Sequence, residues 1–316
     1  MNAKNKGKYI ICRVNIDTVL HVKKKVIFKE LKYWIHRIAI KINPKIEMVR
    51  CYYSVFKVIP NFKNPKTLIE KIYWLQLNTD TSLWSLCADK YRVREYIHKK
   101  RLDSYLNRIY GVWENADEVD FSILPNEYVL KTNNACGQVI IVKEKDGLNV
   151  DEVRKRLKRW YSHPFGVSGG EIHYLKIKPC IIAERLLPIP KDELSMIEYK
   201  IWCFSGTPFC ILVTYGRTSR TVNLALYDLD WNPMPQYLKN TKHTFFHPEV
   251  VIPKPSCLKE MLYVAEVLSA DFPEVRVDLY NVDNHPVFGE MTFSTGFGYF
   301  TDEFYRILGD KVVLPK

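Results

Sequence analysis

Asp278 and Glu290 are the residues of this sequence whose placement first suggests chemistry. They lie in V-R-V-D-L-Y-N-V-D-N-H-P-V-F-G-E-M-T-F-S-T, residues 275–295, where two alternating runs flank a turn-like N-V-D-N-H-P. Alternation of this kind predicts a β-hairpin. Val275, Val277 and Leu279 share one face of the first strand, and Arg276, Asp278 and Tyr280 the other. On the second strand Phe288, Glu290 and Thr292 fall on one side, with Val287 and Met291 on the other. A three-residue loop, Asp283 to His285, sets Asp278 opposite Glu290 and Arg276 opposite Thr292. Opposed side chains lie roughly 5 Å apart, so two ionised carboxylates there repel unless one is protonated or a divalent cation sits between them. Oxygen ligands from Asp278, Glu290 and the Thr292 hydroxyl suit Mg²⁺ or Mn²⁺ rather than zinc. A surface hairpin whose acids point into water has the same pattern, because alternating acids are common on half-exposed strands.

Further polar groups sit at predicted strand ends. Glu127 to Val142 (E-Y-V-L-K-T-N-N-A-C-G-Q-V-I-I-V) reads as strand, polar turn, strand, with Lys131 closing the first strand. The loop Asn133, Asn134, Ala135, Cys136, Gly137 offers backbone N–H groups and small side chains, the parts needed to cover phosphates. An ordinary turn reads the same way, and no Walker A pattern is present. Lys178 to Leu187 predicts a buried strand ending in Glu184, and Ile197 to Phe204 alternates so that Glu198 and Lys200 share a face. A turn at Ser205-Gly206 returns the chain as F-C-I-L-V-T-Y, and Arg217 and Arg220 follow in a loop.

The elements that position these groups are mixed. Asn64-Pro65-Lys66-Thr67 offers a helix start before the stripe Leu68, Ile72, Leu75, and a second helix is predicted from near Ala88 through D-K-Y-R-V-R-E-Y-I. Asp151 to Tyr161 predicts a basic helix with Val153, Leu157 and Trp160 as its apolar face. Ser162 to Gly170 has the composition of a mobile loop of the kind that closes over substrates. Leu224 to Trp231 is a further strand, Ser256 a helix cap, and Thr301-Asp302-Glu303 the start of a closing helix. Helices interleaved with antiparallel hairpins predict an α+β fold rather than a doubly wound sheet.

At 316 residues the chain can bury a sizeable core, and 47% apolar with 13% aromatic content argues against disorder. No run approaches the roughly 18 apolar residues of a membrane span, and Y-I-I-C after Lys8 is too short for a signal peptide, so a cytoplasmic protein is expected. The eight cysteines form no C-x-x-C and have no nearby His at ligand spacing, which leaves zinc and redox motifs unsupported and predicts reduced, mostly buried thiols.

The net charge of +12 is uneven: residues 1–60 carry 14 Lys and Arg against Asp17, Glu30 and Glu47. The remainder is nearly neutral, so no body-wide nucleic-acid surface is expected. Within the basic part, Ile27, Leu31, Trp34, Ile35, Ile38 and Ile42 recur at helical spacing over Val26 to Ile42, surrounded by Lys23 to Lys25, Lys29, Lys32, Arg37, Lys41 and Lys45. Such a helix can lie on an anionic membrane face or pack its stripe on the protein's own core, and packing is the expectation taken here.

A Lys at a strand end, a small-residue loop, a strand-terminal Glu, a Glu-x-Lys strand and a paired Asp/Glu hairpin follow one another in an order that resembles the ATP-grasp fold. More narrowly, N-P-K-T-L-I-E-K-I-Y-W-L-Q-L, A-D-K-Y-R-V-R-E-Y-I, Y-V-L-K-T-N-N, I-K-P-C-I-I-A-E, Y-D-L-D-W-N and F-P-E-V-R-V-D-L-Y resemble the TupA-like ATP-grasp proteins of polysaccharide biosynthesis, over about Asn64 to Leu308. The resemblance implies two α+β subdomains clasping ATP, at residues 86–190 and 191–316, behind a basic, mainly helical region at 1–85. It implies that Asp278 and Glu290 bind magnesium, with Thr292 where ATP-grasp proteins commonly have Asn. Lys131 would touch the ATP phosphates beneath the Asn133–Gly137 loop, with Lys90 of the D-K-Y motif a further contact. Glu184 and the backbone near Leu186 match the hinge that holds adenine and ribose, and Lys200 and Arg276 would face the triphosphate. The loop is poorer in glycine than in relatives.

The activity so implied is an ATP- and Mg²⁺- (or Mn²⁺-) dependent, ADP-forming carboxylate–amine ligase working through an acyl phosphate. Its expected substrates are ATP, an amino acid or other amine, and a uronic-acid carboxylate of an acidic glycan or its precursor, at or near the inner membrane face. Arg217 and Arg220 are candidates to hold the acceptor carboxylate, because a guanidinium fork matches it. A kinase acting on a sugar hydroxyl, and a non-catalytic basic protein binding membranes or polyanions, are the competing readings.

Overall fold

Pro44 and Asn43 show how local chemistry sets the N-terminal helices. Proline lacks the N–H that would continue a helix but fits a first helical position. Helix α1 (Ile16–Ile42) therefore stops, and α2 (Pro44–Phe56) starts with the Asn43 side chain accepting from the Lys45 N–H. The computed structural model describes the backbone of residues 16–189, 191 and 193–315, with side chains from Phe28 onward. Lys23 to Lys25 and Ile27 of the predicted basic stripe thus lie outside the described side chains.

Three more helices precede the first strand: α3 (Leu68–Asn78), α4 (Ser82–Ala88) and α5 (Val93–Lys99). Thr67 caps α3 in a capping box with Glu70, as the sequence predicts a start there. The helix expected from near Ala88 begins later, at Val93. Asp89 instead accepts from the N–H groups of Tyr91 and Arg92, making a turn from which Lys90 reaches Glu290.

Strands β1 (Ile109–Trp113), β2 (Tyr128–Thr132), β3 (Val139–Val142) and β4 (Ile181–Glu184) form an antiparallel sheet in the order β1-β4-β2-β3, with α6 (Val150–Ser162) between β3 and β4 in the chain. Tyr128, Leu130, Ile181 and Ala183 pack with Val153 and Leu157 of α6 in a small core of their own. Alternation then turns Val129, Lys131, Ile182 and Glu184 to the opposite face.

A second sheet has the order β10-β9-β5-β6-β7-β8, from β5 (Glu198–Phe204), β6 (Thr207–Tyr215), β7 (Val222–Tyr227), β8 (Thr244–Phe246), β9 (Val275–Val282) and β10 (His285–Thr292). Its pairings are antiparallel except β7 with β8. Tyr199, Ile201, Val275, Val277 and Leu279 bury one face in the main core with Met261, Val264, Ala265 and Leu268 of α7 (Leu258–Ser269). The other face carries Lys200, Arg276 and Asp278. Cys257 rather than Ser256 occupies the α7 cap position, and Ser256 bonds Asn284 instead. The α+β architecture expected from the sequence is the one formed.

Helix α8 (Asp302–Lys311), capped by Thr301, crosses the start of α3 so closely that a Cβ on Gly309 would lie 2.2 Å from the Lys66 carbonyl oxygen. Gly309→Ala should therefore lower stability by roughly 1–3 kcal/mol, the cost of overpacking, although alanine alone would favour the helix by about 1 kcal/mol. Urea unfolding would show a lower midpoint, and a raised one would refute the close packing.

Two expectations are corrected. The apolar stripe of α1 does not pack on the core. Leu31, Trp34, Ile35, Ile38 and Ile42 are exposed, while Tyr33, His36 and Ile40 face inward and His36 bonds the buried Glu47 at 2.9 Å. The Ser162–Gly170 loop, expected to be mobile, is fastened down. Arg50 Nη2 and Cys51 Sγ both donate to the Ser168 carbonyl, Val167 is buried, and a Cβ on Gly170 would meet Met48 at 2.9 Å.

Candidate active site

The β9–β10 hairpin has the register expected at its functional end, reached by a different route. Its turn has two residues, Asp283 and Asn284, both at positive φ (53° and 64°), the backbone that suits strand twist in two-residue hairpins. That register continues to Phe288 opposite Leu279 and would place Gly289, not Glu290, opposite Asp278. A bulge between Phe288 and Glu290 adds one residue and brings Glu290 opposite Asp278 and Thr292 opposite Arg276. Phe288 consequently points into the core with Leu279 rather than sharing a face with Glu290. A Cβ on Gly289 would stand 2.9 Å from the Asp278 carbonyl oxygen, so glycine fits this close approach.

Across β5, β9 and β10 the register builds adjacent rungs: Glu198–Tyr280, then Lys200–Asp278–Glu290, then Trp202–Arg276–Thr292. Asp278 is fully buried and takes Arg276 Nε at 2.6 Å, Arg276 Nη2 at 2.6 Å and Lys200 Nζ at 2.5 Å. Arg276 also donates to Thr292 Oγ1 (3.1 Å) and Thr295 Oγ1 (2.8 Å) and lies over the Trp202 ring. Lys200 is shared with Glu198 at 2.7 Å. Burial alone would lower the Lys200 pKa, but Asp278 and Glu198 outweigh it and hold the ammonium above its ordinary value. Burial pushes the Asp278 carboxyl above its ordinary value, and Arg276 and Lys200 in contact with it oppose that shift. Thus the repulsion foreseen between two carboxylates is relieved here by flanking cations.

Glu290 is the more open carboxylate of the pair, its side chain 26% exposed, and it pairs with Lys90 Nζ at 2.9 Å. Burial would raise its pKa, yet Lys90, Lys200 and Arg276 hold it well below the usual carboxylate range. Lys90 comes from the turn before α5, so this pair ties that turn to the six-stranded sheet. On the four-stranded sheet Lys131 pairs with Glu184 at 2.6 Å on the face away from α6.

Other predicted residues fall in different places. Asn133 is buried, with its amide committed to Asp89 Oδ2 and the Lys178 carbonyl and its Oδ1 to the Cys180 N–H. Its side chain braces the loop and is not available to a ligand, a correction to its expected role. Asn134 and Ala135 are buried, whereas Cys136 and Gly137 stand exposed at the tip, Gly137 at φ 71°. Leu186 is partly buried just past β4, next to Arg185, whose N–H bonds the Arg108 carbonyl. Arg217 reaches Glu198 at 3.6 Å. Arg220 is exposed, and among the described residues its side chain pairs with no member of the cluster, so the structure does not bring it to the site. The Thr292 hydroxyl accepts from Arg276 and lies 3.4 Å from Glu290 Oε1, so it orients those two groups rather than facing outward as a third metal ligand.

Sequence reasoning noted Glu198 beside Lys200 but did not include it in the site. In the structure Glu198 accepts from Lys200, Thr214 and Tyr280. It passed over Thr295, and also Glu171, whose side chain accepts from Ser294 Oγ at 2.7 Å. Glu171 has no cationic partner among the described residues, and burial pushes its pKa up to about 7 despite the Ser294 bond. An acid whose folded pKa is raised stabilises the fold below its ordinary value of 4.5 and loses that contribution as pH rises through about 7. Wild-type stability should therefore fall across that window relative to Glu171→Gln. Parallel pH profiles from urea unfolding would contradict it.

The donor set fits a hard divalent ion in chemistry, being two cross-strand carboxylates with one open to solvent. Among the described residues no group of three or more His, Cys, Asp or Glu could hold a metal. The chain thus supplies part of a coordination shell, and phosphate oxygens and water would have to complete it.

The family model for TupA-like ATPgrasp matches residues 70–313, more than half of the chain. No curated protein matches. Among solved structures, a D-alanine–D-alanine ligase from Bacillus anthracis is similar at 16% identity and TM-score 0.47, covering 77% of this chain and 72% of that one. The same enzyme complexed with ATP gives 15% identity and TM-score 0.43, covering 72% of this chain and 63% of that one. An L-amino acid ligase from Bacillus licheniformis gives 14% identity and TM-score 0.43, covering 79% and 54%. This chain therefore spans less than two thirds of the length of two of these three structures. By the match over residues 70–313, the chain belongs to the TupA-like ATP-grasp family.

Proposed function

We propose that the protein is an ATP-dependent carboxylate–amine ligase that forms ADP, attaching an amino acid or other amine to a uronic-acid carboxylate of a surface polysaccharide or its precursor. The observation that carries this reading is the rung Lys200–Asp278–Glu290, flanked by Arg276 and bridged to Lys90, on the sheet face turned away from the α7 core. It gathers cations for a polyanion and two carboxylates for a hard metal in one place. Residues 86–190 and 191–316 form the two halves of the nucleotide clasp in this reading, and residues 1–85 lie outside it.

Lys131, Lys90, Lys200 and Arg276 would face the triphosphate and offset the charge that builds on the transferred phosphoryl group. Mg²⁺ or Mn²⁺ held by Asp278 and Glu290 would supply further charge neutralisation at the phosphate oxygens. Glu184 and the backbone at Leu186 would take the nucleoside, and the exposed tip Cys136–Gly137 would cover the phosphates from the β2–β3 loop. Arg217, anchored through Glu198, would hold the acceptor carboxylate in line. That carboxylate attacks the γ-phosphorus and ADP leaves; the amine then attacks the acyl carbon and inorganic phosphate leaves.

Incubation with ATP, Mg²⁺, glucuronic acid and mixed amino acids should release ADP and phosphate and yield an amide by mass spectrometry. Release of AMP, or no nucleotide turnover with any acceptor, contradicts the proposal. A stable phosphorylated sugar without an amide would mark a kinase.

A further inference from the structure

We propose that α1 is a membrane-docking helix that seats the protein on an anionic lipid surface. This inference is independent of the reaction proposed above. The helix is fixed to the protein through one side: Glu30 pairs with His163 at 2.8 Å, Tyr33 packs on the His163 ring, His36 bonds Glu47, and Ile40 is buried. Its opposite side carries Phe28, Leu31, Trp34, Ile35, Ile38 and Ile42, each between 51% and 75% exposed. At 3.6 residues per turn these six occupy one stripe roughly 120° wide, centred nearly opposite the inward face.

A core-facing helix buries its apolar stripe, and this one buries the polar and aromatic side instead. Water is a poor neighbour for six large apolar side chains in a row, so something apolar and extended is the fitting partner. Charge selects which. Lys32 borders one edge of the stripe and Lys41 the other, and both are exposed. Apolar side chains between flanking lysines match the boundary between acyl chains and anionic headgroups, where the stripe enters the bilayer and the ammonium groups remain at the phosphates. A soluble polyanion would satisfy the lysines and leave the stripe in water. No described helix is long and apolar enough to cross a membrane, so α1 would lie in the plane of the surface.

The test is vesicle flotation of the full chain at physiological salt. It compares phosphatidylcholine vesicles with vesicles containing about one third phosphatidylglycerol, enough to give a negative surface potential. The protein should float with the anionic vesicles and remain largely unbound with the neutral ones. Lys32→Glu with Lys41→Glu should weaken binding more than tenfold, since each near-surface cation contributes about fivefold. Leu31→Asp with Ile38→Asp should abolish it, and circular dichroism should show both variants folded, because all four positions are exposed.

Absence of flotation with anionic vesicles overturns the proposal. So does wild-type flotation by the Leu31→Asp, Ile38→Asp variant, which would reduce the contact to charge alone. A concentration-dependent dimer that this variant dissolves, without vesicle binding by the wild type, would make a second copy of the chain the occupant of the stripe.

Discussion

Asp278→Ala is expected to lower the free energy of unfolding by about 3–5 kcal/mol, the usual cost of removing one partner from a buried ion cluster. Asp278 has no exposed surface and holds three close contacts from Arg276 and Lys200, whose side chains are each 9% exposed. Without it both cations remain buried with fewer acceptors. Lys200 keeps Glu198, and Arg276 keeps Thr292 and Thr295, which places the loss toward the lower end. Asp278→Asn keeps the volume and an acceptor oxygen and should lose less. Urea unfolding followed by circular dichroism reads the difference. A change below about 1 kcal/mol for Asp278→Ala, the scale of an exposed pair, would mean that this ion cluster does not organise the sheet face.

Glu290→Gln should act on activity more than on stability. Its carboxylate is the accessible one, and Lys90, 10% exposed, is its close partner. Stability should fall by roughly 1–3 kcal/mol, more than an exposed pair costs and less than a fully buried one. ADP formation should fall by roughly 10²–10³-fold, as when one preorganised charge-stabilising group is removed from a reacting centre. The two variants therefore separate contributions that a single substitution would merge, with Asp278 mainly holding the sheet face together while sharing the metal and Glu290 mainly serving the ligand. Coupled measurement of ADP release and unfolding for Glu290→Gln checks this, and wild-type turnover would remove Glu290 from the site.

Much of this arrangement is legible in the chain because strands have a period of two. Alternation at Glu198, Lys200, Arg276 and Asp278 is enough to put these residues on one face, and the same rule yields Lys131 and Glu184. The capping residues Thr67 and Thr301 are readable for a similar local reason. Three features are not local. The Gly289 bulge exists because a two-residue turn and the pairing of Glu290 with Asp278 demand different registers, and the loop length inferred from sequence hid both. Asn133 looks like a loop residue free to meet phosphate, but its partner Asp89 lies 44 residues earlier. Glu171 acquires meaning only from Ser294, which is 123 residues away. The α1 stripe was readable as amphipathic, while the side it turns to the protein was set by Glu47 and His163, which the helical period does not reveal.

In the proposed reaction the groups around the Lys200–Asp278–Glu290 rung bind nucleotide and metal together. Around the rung Lys90, Lys200, Arg217 and Arg276 pair with Glu198, Asp278 and Glu290, so its net charge is small. A triphosphate alone would leave excess negative charge there and a divalent ion alone excess positive charge, so each should strengthen binding of the other. Isothermal titration of the full chain with ATP, with and without Mg²⁺, measures this directly. Binding should be at least tenfold tighter with Mg²⁺, and that gain should be lost in Glu290→Gln; equal ATP affinity with and without the metal, or an unchanged gain in the variant, would contradict joint binding.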